Sequence, residues 1–307
     1  MGNFSKAEEA HTESLKIRLN LYGETHHTVA NSYHNIGFLF DAKGNHSNAE
    51  VSYKKALEIY KRLFGENHET TATSYNNLAF LYVNIENFSQ AHEFYIKSLK
   101  IYMNLYGENN PKIAISYNNL AALNLKTGNM RAAEEMFLKS LKTYLNIYGE
   151  NHIETALSYN NIGFLYMKLG NLDKAEEFYN QSLKTFLELY GENHSNTATA
   201  YCNLGDLNYE KKKIQKAIEN LTKAFNIALK IFGSDHFKTK CYLKKLKSYK
   251  FNDLFNDFDS SNIALKKAIE ENKVENTNKI EAIKCEIRNV VKMMSEVDKE
   301  IKDLEKK

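Results

Sequence analysis

The chain has 307 residues, 41 Lys+Arg against 38 Asp+Glu, and a formal net charge of +3. So even a balance leaves no clustered basic face of the kind nucleic-acid binders carry, and no apolar run approaches the ~18 residues of a membrane span. One proline and 13 glycines supply few helix breakers. Three cysteines without C-x-x-C spacing, Cys202, Cys241 and Cys285, point to a reducing compartment rather than a disulfide framework, and a cytoplasmic location is expected.

One short stretch returns six times: Tyr22-Gly23-Glu24-Thr25-His26, then its counterparts at Phe64, Tyr106, Tyr148, Tyr190 and Phe232. Its glycines stand at 23, 65, 107, 149, 191 and 233, a period of 42 residues without slippage. A fixed period of 20 to 50 residues marks a solenoid, in which each unit buries its apolar face against its neighbours. The expected fold is all-α, a right-handed α-solenoid of helix pairs followed by a C-terminal helical, coiled-coil segment.

In chain order, residues 3–22 read as a half repeat, a lone second helix whose partner would lie upstream of Met1. The array then either begins uncapped or belongs to a longer protein. Five full repeats follow over about 26–232, so that the array spans 1–236. Each opens with a helix such as Ala72–Tyr82, where Tyr75, Leu78 and Tyr82 share one face. A short turn, usually Gly-Asn, leads to a second helix such as Ala49–Phe64, with Ala49, Tyr53, Ala56 and Leu57 on its apolar face. Small residues return where helices must touch: Gly37, Ala79, Ala121, Gly163 and Gly205 on the first helix, and Ala49, Ala91, Ala133, Ala175 and Ala217 on the second.

These residues resemble the tetratricopeptide repeat (TPR). The 42-residue length, the Asn-Asn-Leu-Ala of 76–79 and 118–121 and the Gly-x-x-His ending are similar to the kinesin light chain class of these repeats. That class commonly has His-Pro opening the next helix, and here Pro111 alone keeps the proline place.

Beyond the array, residues 237–250 keep a stripe of Leu243, Leu246 and Tyr249 among lysines and read as a capping helix. Residues 251–262 read as a linker, and 263–307 as a C-terminal helix. Its heptads over 280–304 run through Ile280, Ile283, Ile287, Val290, Met294, Val297, Ile301 and Leu304. Trimer, antiparallel pair and folding back on the array are all open for this segment, and self-association through it is expected.

No metal or cofactor is expected. Five of the ten histidines, His26, His68, His152, His194 and His236, occupy one recurring place at a helix start, too far apart to share an ion. No P-loop, H-E-x-x-H or G-x-S-x-G string occurs, so the chain reads as non-enzymatic. The candidate surface is the inner face of the first helices. Helical spacing stacks Asn31/His34/Phe38/Asp41, Thr73/Asn76/Phe80/Val83, Ile115/Asn118/Ala122/Leu125, Leu157/Asn160/Phe164/Met167 and Thr199/Cys202/Asp206/Tyr209. By resemblance this register is the ligand groove of tetratricopeptide proteins.

The candidate groove residues are His34, Phe38, Asn76, Phe80, Asn118, Asn160, Phe164 and Met167. The asparagines offer donors and an acceptor to a peptide backbone, the phenylalanines pockets for apolar side chains. Asn77, Asn119 and Asn161, one residue on, read as structural. With no Lys or Arg in the groove places, a carboxylate clamp is not expected. The expected partner is a protein or peptide, an internal segment with apolar anchors, and neither nucleic acid nor membrane. The leading reading is an interaction scaffold. The alternatives are a kinesin-light-chain-like cargo adaptor, or the sensor part of a larger signalling ATPase or other enzyme.

Overall fold

A computed structural model describes residues 4–250 and six isolated helical positions beyond them, 281, 285, 288, 289, 292 and 299. The expected linker at 251–262 and the heptads of 280–304 otherwise lie outside the described residues. The chain divides into two compact units, Met1–Leu165 and Tyr166–Lys307, with the boundary inside one helix.

Unit 1 holds α1 (Phe4–Tyr22), α2 (His27–Ala42), α3 (His46–Phe64), α4 (Glu69–Asn84), α5 (Phe88–Tyr106), α6 (Pro111–Lys126), α7 (Met130–Tyr148) and most of α8 (Ile153–Lys168). Unit 2 holds α9 (Leu172–Tyr190), α10 (Ser195–Glu210) and α11 (Ile214–Phe232), and a helix over 237–250, here α12. First helices pack on the second helix that follows, as α2 on α3, α4 on α5, α6 on α7 and α10 on α11. Second helices also meet the next first helix, as α3 meets α4, α5 meets α6 and α9 meets α10. The expected lone second helix is α1, which contacts α2. Its Arg18 donates to the Thr28 carbonyl and the Ser32 hydroxyl at 3.1 and 2.7 Å.

The recurring aromatic-Gly-x-x-His stretch is the joint between repeats. The aromatic ring ends a second helix, and glycine turns the chain at φ between +70° and +84°, a region L side chains avoid. Space is not the constraint, since a Cβ on these glycines would meet nothing within 4 Å. The histidine then caps the next first helix. Its Nδ1 accepts from the amide two residues on, at 3.3 Å for Thr28 and Thr70 and 3.2 Å for Glu154 and Asn196. Such a cap satisfies one of the orphan donors of a helix start. The preceding aromatic stacks on the imidazole, with ring centres 4.4 Å apart for Tyr22–His26 and 3.9 Å for Tyr148–His152. Asn110 caps α6 in the same way, 2.9 Å from the Lys112 amide.

The core follows the expected stripes. Tyr75, Leu78 and Tyr82 are buried, as are Ala49, Tyr53 and Ala56, each large aliphatic burial being worth about 1.5–3 kcal/mol. The small first-helix residues lie where the partner helix presses closest. A Cβ on Gly37 would sit 2.8 Å from the Tyr53 ring, and one on Gly205 2.9 Å from Leu221 Cγ and 3.3 Å from the Ala217 carbonyl.

Candidate peptide-binding face

The first helices of unit 1 turn their candidate residues to one side. Phe38, Phe80 and Phe164 recur at one repeat position and are 67%, 55% and 39% exposed. Large apolar rings left outside the core at a repeating register are unusual enough to ask for a partner. Ala122 holds the same position on α6 and is exposed too. Ile115 and Leu157, two helical turns earlier on α6 and α8, are also exposed. Their register was legible in the sequence, but their exposure was not, because the same position carries polar Asn31 and Thr73 in the earlier repeats. Met167 falls in unit 2, half-buried in the last turn of α8.

The amide residues do two jobs. Asn119 Nδ2 donates to Asn76 Oδ1 at 3.0 Å, and Asn161 Nδ2 to Asn118 Oδ1 at 3.0 Å. The same step pairs Asn77 Nδ2 with His34 Nδ1 at 3.4 Å. Asn77, Asn119 and Asn161 therefore tie each first helix to the one before it, the structural role expected of them. For Asn76 and Asn118 the finding narrows the expectation: one lone pair of their carbonyl is already used, and the amide donor is what these two links leave them to offer a ligand. Asn160 is half-buried on α8.

A second row of links runs along the same helices one turn or two further on. Asn84 Nδ2 donates to Asp41 Oδ2 at 3.2 Å, and Lys126 Nζ to the Val83 carbonyl at 3.2 Å. Asp41 also faces His46 Nδ1 at 2.9 Å. Charge on this face is thus sparse and engaged. Burial pushes the His34 imidazolium down from its ordinary range, because removing water disfavours the charged form. The neutral form of His34 that has its proton on Nε2 is the one whose Nδ1 accepts the Asn77 hydrogen bond.

The repeats match a family model. A tetratricopeptide repeat model fits residues 1–62, 42–104, 71–146, 112–185 and 154–230. The chain belongs to the tetratricopeptide repeat family. Its fold is similar to BtubC (BKLC) from P. vanneervenii, with TM-score 0.66 and 23% identity over 76% of this chain and 94% of that one. It is similar also to a Podosopora anserina putative kinesin light chain with nearly identical TPR-like repeats, with TM-score 0.59 and 18% identity over 67% and 97%. The apo form of RapI gives TM-score 0.56 and 18% identity over 89% and 99%. No curated protein sequence matches the chain. The tetratricopeptide fold is a protein-interaction scaffold, and no helix among the described residues is long and apolar enough to cross a membrane.

On the tetratricopeptide pair of unit 2 the same register has different chemistry. Where unit 1 has Phe38 or Phe80, α10 has Asp206, which accepts from Lys245 Nζ at 2.5 Å and Tyr249 Oη at 2.9 Å. Tyr209 stacks on Tyr249 with ring centres 3.9 Å apart. Cys202, at the place of Asn76, is buried, and burial with Asp206 nearby pushes its thiol up to about 12. A catalytic cysteine needs the opposite shift. Here α12 covers the candidate face.

Proposed function

We propose that the chain is a non-enzymatic, cytoplasmic scaffold that holds an internal segment of a partner protein on the first-helix face of unit 1. The observation that carries this reading is the exposure of Phe38, Phe80 and Phe164 at one repeat position. Burying an exposed phenylalanine against a partner contributes about 1.5–3 kcal/mol, so two or three anchors give useful affinity after the cost of ordering a peptide. The amide donors of Asn76 and Asn118 fit the carbonyls of the bound backbone. Apolar anchors on a face whose few charges are engaged favour a neutral segment over a free acidic C-terminus. Rap protein, a structural neighbour at 16% identity, was crystallised with competence and sporulation factor, a precedent for ligand binding by this fold alone.

A displayed peptide library selected on the full chain tests the reading, with the Phe80→Glu variant in parallel. Neutral internal peptides with aromatic or aliphatic anchors should enrich on the native chain and fail on Phe80→Glu. Enrichment of acidic C-terminal peptides, or of peptides indifferent to the substitution, would refute it. The 42-residue repeat favours one second reading, a kinesin-light-chain-like adaptor, for which co-sedimentation with a motor heavy chain is the discriminating result.

A further inference from the structure

We infer that the joints of this array are proton-sensitive: each histidine-capped first helix loses its cap when the imidazole takes up a proton, while α6, capped by asparagine, keeps its own. The inference starts from the atom that does the capping. Nδ1 of His26, His68, His152, His194 and His236 accepts from the amide two residues on, at 3.2–3.3 Å, and so opens α2, α4, α8, α10 and α12. An amide N–H only donates, so Nδ1 must bring the lone pair, and the ring's one proton then stands on Nε2. An imidazolium carries a proton on both nitrogens. Capping and protonation therefore exclude each other at these five places. At His26 and His68 a threonine hydroxyl also reaches Nδ1, at 2.8 Å for Thr28 and 2.9 Å for Thr70. That hydroxyl can turn round and accept from an imidazolium, but the backbone amide cannot.

The groups around each ring decide the sign. The unpaired amides of a helix start carry partial positive charge, and an imidazolium placed there meets like charge at close range. His27 lies against His26 with ring centres 4.5 Å apart, and Lys238 follows His236 by two residues. Both add charge of the same sign in acid. On the other side stand the rings of Tyr22, Phe64, Tyr148, Tyr190 and Phe232, whose centres lie 3.9–4.5 Å from the imidazoles. Their faces attract a cation, yet they stack on the neutral ring as well, so only a difference between the two remains. Carboxylates near the joints are Glu24, Glu66, Glu150, Glu192 and Asp235 ahead of the histidines, with Glu69 and Glu154 after two of them. Of these, Glu66 is bonded to Lys61 and Tyr75 Oη, Glu69 to Lys112 and Tyr106 Oη, and Asp235 to Lys240. Glu154 acts on Tyr144. The lost acceptor and the helix start outweigh what is left to hold a proton.

The joint before α6 is the internal comparison. Tyr106 ends α5 and Gly107 turns the chain at φ +70°, as at the other joints. Asn110 then accepts from the Lys112 amide at 2.9 Å, through a side-chain carbonyl that stays an acceptor at any pH near neutrality. Acidification through the ordinary histidine range, about pH 6.5, thus loosens the histidine joints and spares this one. The device is independent of whether the first-helix face binds a peptide.

Hydrogen exchange on the full chain reads the joints one by one, each rate being corrected for intrinsic exchange at its pH. From about pH 7.5 to about pH 5.5, exchange in the first turns at 70–73, 154–157 and 196–199 should rise about fivefold relative to 112–115 of α6. Two variants swap residues that the array itself uses at this place, so both chains should fold. His68→Asn should abolish the rise at 70–73 and keep that at 154–157, and Asn110→His should create a rise at 112–115. A rise shared equally by α6, no rise at the histidine-capped turns, a rise at 70–73 that survives His68→Asn, or none at 112–115 in Asn110→His would each overturn the inference.

Discussion

The first-helix faces of the two units share a backbone register and differ in what they do with it. In unit 1 neutral amides link neighbouring first helices, Asn119 to Asn76 and Asn161 to Asn118, and Phe38 and Phe80 on the same face are more than half exposed. In unit 2 the phenylalanine place is Asp206, and its carboxylate is spent on Lys245 and Tyr249 of α12. An amide pair needs only one donor and one acceptor from two residues and leaves its neighbours available. A carboxylate at the same place demands a cation and a hydroxyl, and obtaining them covers the face. One register therefore serves as an exposed surface in unit 1 and as an internal joint in unit 2.

The largest effect that would sharpen this contrast is expected at the joint. Asp206→Ala leaves Lys245 and Tyr249 without their acceptor and should cost about 2 kcal/mol, the range for hydrogen bonds to charged groups, with some relief because Lys245 is partly exposed. Chemical denaturation measures it, and a loss below ~0.5 kcal/mol would mean α12 is held by its apolar contacts alone. In unit 1, Asn119→Ala should cost about 1 kcal/mol by orphaning the Asn76 carbonyl. The Asn76→Ala/Asn119→Ala double variant should lose less than the sum of the single losses, and strict additivity would break the assignment of the amide link.

A smaller effect is expected with pH. Burial lowers the folded-state pKa of His34, so the unfolded chain takes up its proton first as pH falls. The His34 contribution is full above the ordinary histidine range and is lost as pH drops through that range to the lowered folded value. His34→Gln, which keeps an acceptor for Asn77, should remove that part of the slope in a pH series of melts, and an unchanged slope would exclude it. Smallest of all, Phe80→Ser should move stability by no more than ~0.5 kcal/mol, since the ring is more than half exposed, while abolishing capture of the selected peptides.

Much of the fold was legible because the joint between repeats is local. The aromatic, glycine and histidine of Tyr148–His152 sit within five residues, and each has one physical reason to recur. The phenylalanine face was legible as register, through Phe38 and Phe80, because helical spacing places them together. The amide links were not, since Asn119 meets Asn76 one residue off the 42-residue period, and self-similarity aligns Asn119 with Asn77 instead. Residues 237–250 read as a capping helix because Lys244, Lys245 and Lys247 stand at the Cys202, Asn203 and Gly205 places. What persisted was the cap at His236 and the buried Thr239, too few residues to announce another first helix.

The one-residue offset of the amide links also bears on how such a chain can change length. Each link joins a donor at one fixed place to an acceptor at another, and the acceptors His34, Asn76 and Asn118 are interchangeable for that purpose. Excision of one whole repeat between them would bring Asn119 onto His34, again donor to acceptor. Duplication would add one more rung of the same kind. Gain or loss of a single residue inside a first helix, ahead of its asparagine, would instead rotate the donor off its acceptor. A change in steps of one whole period therefore preserves the donor-to-acceptor pairing of the links that remain.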